Sequence, residues 1–312
     1  EGDALFIVGN PGNTDRINAM SQIYYQRDVQ YPMLTGTYKQ LYDILLDSVK
    51  RTNAEDYKVI ARLYSVGNGL KVFTGTLKAL QDNYLLARKA DFEKKFRKSV
   101  SADPKLKSLY GGLWEEITKL REEAAKLAPI QFAYNITSLY SPSWLIRAQK
   151  IVTLLGTGLP NEELALKVDA LLPETENISL NKKYLEIQIG IWTQFLPKNH
   201  PVRVTLLGGK TGREAVEYVL ANSSMTDRKK VIEAAGKGED AVKALNDPFI
   251  TFVTLVDAEN KQVRARLVEI NKREEIINQE LGKALYAVYG ASIPPDATFT
   301  LRLADGVVSS YS

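Results

Sequence analysis

The stretch from Asn53 to Leu80 constrains this chain most. Val59, Leu63, Val66, Leu70, Phe73, Leu77 and Leu80 recur at alternating intervals of four and three. That spacing puts them on one side of a long helix and requires burial against neighbours. The adjacent face carries Tyr57, Ala61, Tyr64, Asn68, Lys71 and Gly75, so aromatics give way to an amide and an amine. Three glycines crowd the same region, at positions 67, 69 and 75. Each costs a helix about 0.5 to 1 kcal/mol relative to alanine, and each lets another group approach the backbone closely. Two readings fit: a local irregularity between packed helices, or a polar notch on a rigid rod that holds a ligand.

With 312 residues, 45% of them hydrophobic, the chain has material for one large or two moderate domains. The formal charge is only +4, with both signs interspersed along the helices, which argues against a nucleic-acid partner. No apolar run is long enough to cross a bilayer, so no membrane partner is expected. Zero cysteines remove disulfides, thiol nucleophiles and sulfur-based zinc sites.

Ala4-Leu5-Phe6-Ile7-Val8 reads as a buried strand. Ile17 to Asp28 is helical but uneven, and Pro32 is expected to break the chain. Tyr38, Leu41, Tyr42, Leu45, Leu46 and Val49 then define an amphipathic helix, antiparallel to the one that follows. Further helices are expected over Asn83 to Val100 and Pro104 to Leu127, the second capped by Asp103 with proline at its first position. Pro129 and Pro142 should divide the next region into shorter pieces, followed by helices over Glu162 to Leu172, Leu180 to Phe195 and Thr211 to Leu220. From Pro248 one or two long helices run to Tyr289. Thr298 to Leu303 reads as a strand, Asp305-Gly306 as a turn, and Val307-Val308 as a returning strand. A chain that opens and closes on strands, without an initiator methionine, has the form of an internal fragment whose ends meet.

Chemistry within the chain is sparse. One histidine, His200, lies between Asn199 and Pro201, where exposure or helix capping is expected. H-E-x-x-H and G-x-S-x-G patterns are absent, and one histidine cannot build a histidine metal cluster. Gly208-Gly209-Lys210-Thr211-Gly212 departs from a Walker loop, which needs glycine where Val204 stands. Neither a cofactor nor a metal is expected.

Three marks carry a resemblance. Gly9-Asn10-Pro11-Gly12-Asn13-Thr14-Asp15-Arg16 resembles the G-x-P-G-x-T-x-R element of the bacterial periplasmic dipeptidyl aminopeptidases, serine exopeptidases of the dipeptidyl-peptidase 7 and 11 type. Tyr64-Ser65-Val66-Gly67-Asn68-Gly69-Leu70-Lys71 is similar to the helix that carries their Asn-x-x-Lys element. Ile293-Pro294-Pro295-Asp296-Ala297-Thr298-Phe299-Thr300-Leu301-Arg302-Leu303 is similar to their proline-aspartate-alanine segment. The marks come in family order and span nearly the whole chain.

The resemblance implies a mainly α fold: a multi-helix insertion domain whose short terminal strands belong to a chymotrypsin-like double β-barrel. Residues 1–16 would leave the catalytic barrel, 17–292 would form the helical substrate-capping domain, and 293–312 would re-enter the barrel. It further implies release of dipeptides from peptide amino termini by a histidine, aspartate and serine triad. Histidine and aspartate would lie before Glu1 and serine after Ser312, so no catalytic residue is expected within the chain, and the isolated polypeptide is expected to be inactive. Asn68 falls where the family's asparagine anchors the substrate's free amino terminus, and an amide oxygen can accept from an ammonium group without adding charge. Tyr64 and Lys71 are its candidate supporting neighbours, Lys71 being expected to hold a carboxylate or carbonyl beside the notch. The implied partners are a peptide with a free amino terminus and the catalytic barrels of the same polypeptide. The resemblance also admits a homodimeric parent, and it implies a periplasmic location. Two departures mark a divergent branch: Gly69 and Leu70 stand where the family commonly has aromatics, and Asn10 replaces the usual aromatic of the loop. The alternative from the residues alone is a non-catalytic helical interaction or scaffold domain.

Overall fold

The computed structural model describes residues 2–10, 17–51, 57–293 and 299–309. The loop motif at 11–16, the first residues of the Asn53 stretch and the segment 294–298 lie outside the described residues. Among the described residues the interior is helical, and the two ends pair as a two-stranded sheet. It divides into two compact units: one of residues 1–24, 83–121 and 271–312, the other of 25–82 and 122–270.

In the first unit, β1 (Ala4–Gly9) pairs antiparallel with β2 (Arg302–Val307). The register sets Leu5 against Gly306, Phe6 against Asp305 and Val8 against Leu303. Asp305-Gly306 therefore lies inside a strand and is no hairpin turn. The expected return strand is replaced by β1 itself, which supplies backbone partners along the whole of β2. Asn10 adds a side-chain hydrogen bond to the Phe299 carbonyl at 2.9 Å. Apolar side chains stand out on both faces of this ribbon, with Phe6, Ile7, Val8, Leu303 and Val307 all exposed.

The same unit contains most of α1 (Met20–Tyr25), α4 (Asn83–Ala102), α5 (Pro104–Tyr110), the start of α6 (Leu113–Tyr134) and the end of α13 (Pro248–Tyr289). Its core joins Ala19, Phe96, Val100, Trp114, Ile117, Ile277, Leu281 and Ala284. Phe96 meets Trp114 edge-on at 5.1 Å. Arg121 pairs with Glu274, both largely buried, while Arg273 grips Glu116 at 2.5 and 2.8 Å. Asp103 caps α5 by accepting from the backbone of Lys105 and Leu106, with Pro104 in the first turn. The helix expected over 104–127 is split, because Gly111-Gly112 end α5 before α6 begins. Glycine has the largest conformational entropy to lose in a helix, so a pair of them is a natural place to break one.

The second unit packs α2 (Tyr31–Arg51), α3 (Tyr57–Leu80), α7 (Ser143–Leu155), α8 (Asn161–Leu171), α9 (Ile178–Phe195), α10 (Gly212–Ala221), α11 (Arg228–Lys237) and α12 (Glu239–Lys243) with the remainder of α6 and α13. Trp144, Trp192, Phe249 and Phe252 are fully buried at its centre. Trp192 lies tilted against Phe252 with ring centroids 4.4 Å apart and donates its indole N–H to the Ala133 carbonyl at 3.0 Å.

Two prolines behave differently from the sequence expectation. Pro32 lies in the first turn of α2, directly after a π-turn at Gln26–Gln30, so helix continues from Met20 to Arg51. A widened π-turn spares the clash that a prolyl ring makes with the carbonyl four residues back. Pro129 sits inside α6, which runs on to Tyr134. Burial of Ala124, Ala128, Ala133 and Tyr134 outweighs the cost of about 3 kcal/mol for an interior proline.

Candidate functional site

Helix α3 is held from behind by α2. Tyr38 lies edge-on to Phe73 at 4.8 Å, and Tyr31 stands 6.1 Å from the same ring. Tyr42 packs at Gly67 and Tyr38 at Gly69, so numbers rise along α2 as they fall along α3 and the pair is antiparallel. Val59, Leu63 and Val66 are buried, while Leu70, Phe73, Leu77 and Leu80 are half-buried. Arg62 donates to the carbonyls of Ser138 and Leu139, and its guanidinium lies 5.0 Å over the ring of Tyr184 on α9.

Asn68, Tyr64 and Lys71 all lie on the exposed side of α3, with Tyr64 74% accessible. The side chain of Asn68 is exposed and makes no hydrogen bond to another described residue. Lys71 makes no ion pair among the described residues, so the carboxylate or carbonyl expected for it is not supplied by them. The two glycines flanking Asn68 are not vacant space: the rings of Tyr42 and Tyr38 occupy the positions that side chains there would take. Only Gly75 of the three has nothing within 4 Å of a built Cβ.

His200 belongs to a separate, partly buried network that runs from buried Tyr134 to exposed Glu259. Its Nδ1 accepts the Val202 N–H at 3.2 Å, opening the π-turn Val202–Leu206, and its Nε2 lies 2.9 Å from the Tyr134 hydroxyl. That hydroxyl donates to Glu259 at 2.6 Å. With Nδ1 accepting, the ring hydrogen resides on Nε2 and points at the tyrosine oxygen. Burial lowers the His200 pKa, opposed by the nearby Glu259 charge. Burial, reinforced by the Glu259 hydrogen bond, pushes the Tyr134 hydroxyl far above the ordinary tyrosine range. The Tyr134 hydroxyl thus stays protonated at neutral pH and links His200 to Glu259 through its hydrogen bonds.

Thr211 stands at the N-cap of α10, and the glycine-rich loop before it follows a π-turn, not a strand. A cavity of about 540 Å³ in the first unit is lined by Asn18, Asn271, Glu274, Glu275, Asn278 and Gln279 with Ile17 and Gly282. It offers no histidine, serine or cysteine. Among the described residues no group of three or more histidine and carboxylate side chains is placed to hold a metal ion. No helix among them is long and apolar enough to cross a membrane.

Sequence reasoning singled out Asn68 and its neighbours but missed Tyr38, Tyr42 and Arg62, which hold α3 in place. A signal for the tyrosines was present: two aromatics four apart on α2 facing a G-x-G on its antiparallel partner.

Comparison with known proteins bears on this arrangement. An Asp/Glu-specific dipeptidyl-peptidase of Shewanella putrefaciens is 23% identical over 338 aligned residues, 99% of this chain and 44% of that protein. The crystal structure of Porphyromonas endodontalis DPP11 matches with a TM-score of 0.75 at 18% identity, covering 99% of this chain and 46% of that one. The same protein in complex with the dipeptide Arg-Glu matches with a TM-score of 0.73. The chain thus spans less than half the length of these relatives, and it shares the fold of that half. The family model described as Peptidase S46 matches residues 1–312, and this chain belongs to that family.

Proposed function

We propose that this chain is the helical substrate-capping part of a serine dipeptidyl aminopeptidase, and that Asn68 accepts a hydrogen bond from the free amino terminus of the peptide. The exposed, unengaged amide of Asn68 carries this reading: it stands on a helix gripped from behind by α2, α9 and the 138–139 loop. A rigid mount matters because an anchor that moves cannot fix the scissile bond against a nucleophile. Membership of the family supports the reaction class, and so do the dipeptidyl-peptidase names of the relatives.

The nucleophile, general base and orienting carboxylate lie outside this chain in the proposed enzyme. The β1–β2 ribbon, apolar on both faces, is a piece of the chymotrypsin-like double barrel that carries them. Tyr64, one turn before Asn68, lies beside the bound terminus, and Lys71 holds a carboxylate or carbonyl of the remaining polypeptide. The parent enzyme acts in the periplasm.

The test is kinetic and uses the full-length enzyme. Asn68→Ala removes one acceptor for a charged donor, a loss of about 1.5 to 3 kcal/mol when the pair is desolvated, or about tenfold to a hundredfold in kcat/KM. An anchoring role predicts that loss for free peptides and little change for amino-terminally acetylated ones. Equal losses for both, with a lower melting temperature, would instead assign Asn68 to the fold.

A further inference from the structure

Asn68 is flanked by glycines, and each of them faces a different ring. A Cβ on Gly69 would stand 2.5 Å from Cε1 and 3.1 Å from Cδ1 of Tyr38. A Cβ on Gly67 would stand 3.0 Å from Cε2 of Tyr42. Neither ring is the end of a loose chain: Tyr38 is seated edge-on against Phe73 at 4.8 Å, and both tyrosines pack against the core of their unit.

The angular arithmetic of a helix gives this pairing a consequence. Successive residues are turned by about 100°, so the two neighbours of any position lie about 100° to either side of it. The line bisecting Gly67 and Gly69 on their far side therefore points directly away from residue 68. Val59, Leu63, Val66, Leu70 and Phe73 lie around that same far direction, where α2 packs. Two rings gripping the flanks at positions 67 and 69 oppose rotation of α3 in either sense, and they hold position 68 at the outermost point of the helix.

We propose that Tyr38, together with Tyr42, is a positioning residue for the bound amino terminus: seated in the gaps left by Gly69 and Gly67, it fixes the rotation of α3 that presents the Asn68 amide. This rests on the reading of Asn68 given above and deepens it. The two rings act through Asn68 and do not touch the peptide.

The experiment compares, in the full-length enzyme, kcat/KM for a free peptide and for its acetylated form. The variants are Gly75→Ala, Gly67→Ala, Gly69→Ala, Tyr38→Phe, Tyr38→Ala and Asn68→Ala. Gly75 adds the same methyl to the same helix where it meets nothing, and Tyr38→Phe keeps the ring, so both are expected to leave the preference for free peptide unchanged. Gly69→Ala and Tyr38→Ala are expected to reduce that preference about tenfold, and Gly67→Ala by less, because a misplaced anchor forfeits its orientation. Should Gly69→Ala not fold, Gly67→Ala and Tyr38→Ala carry the test. If the glycine and tyrosine variants slow both peptides equally while Asn68→Ala still penalises the free one, the positioning role is overturned and the anchoring role stands. If Asn68→Ala itself leaves the preference intact, both fall.

Discussion

Tyr134 donates its hydroxyl hydrogen to Glu259 across 2.6 Å while its oxygen lies 2.9 Å from Nε2 of His200. The histidine is neutral in this arrangement, since its other nitrogen accepts the Val202 N–H. Protonation would set two donors against each other at the start of the π-turn. Because burial lowers the folded pKa below the ordinary value near 6.5, the unfolded chain binds the extra proton first. Stability is therefore full above about pH 6.5 and falls as pH drops from there toward the folded value. Urea unfolding followed between pH 8 and 5 is expected to show this slope, and His200→Gln is expected to flatten it. An identical slope in the variant would place the proton uptake elsewhere.

Asp247 concentrates more hydrogen bonds than any surface carboxylate needs. Buried, it accepts from Ser223 Oγ and from the backbone of Ser224 and Met225 through one oxygen, and from the backbone of Phe249 and Ile250 through the other. It thus caps α13 and ties down the loop after α10 together. Asp247→Ala strands several buried donors, so a loss of about 3 kcal/mol or more in denaturant unfolding is expected. Asp247→Asn, which keeps one acceptor, should lose less. A change under about 1 kcal/mol for the alanine variant would mean that water replaces the carboxylate without strain.

The exposed ribbon yields a prediction of opposite signs, conditional on the barrel assignment. Ile7→Lys, opposite Ala304 and so without a carboxylate across the ribbon, removes apolar surface in the isolated chain and places a charge on a sheet face, which should raise solubility. In the full-length enzyme the same change buries an unpaired amine and should lower the melting temperature. Gains in both settings would count against burial of this face by the rest of the polypeptide.

Helical pattern along the chain was legible because periodicity is a local property. The faces of α2, α3 and α9, the Asp103–Pro104 start of α5 and the Thr211 start of α10 all follow from residues within a few positions of one another. Prolines were less legible. Pro32 and Pro129 look like breaks in isolation, but a π-turn accommodates one and core burial outweighs the cost of the other. The turn expected at Asp305-Gly306 failed for a related reason: a strand takes its partner from wherever the chain supplies one, and here the partner lies almost three hundred residues away.

For the candidate site, the residues by themselves determined that Asn68 would lie on a polar helix face away from an apolar one, since angular spacing along a helix admits nothing else. They left open whether the glycines around it were vacant or filled. Tertiary structure decided that, because the space beside a glycine belongs to whatever packs against it, and no local pattern states which ring will arrive. Tyr38 and Tyr42 come from the preceding helix, and their rings fill the space beside Gly69 and Gly67.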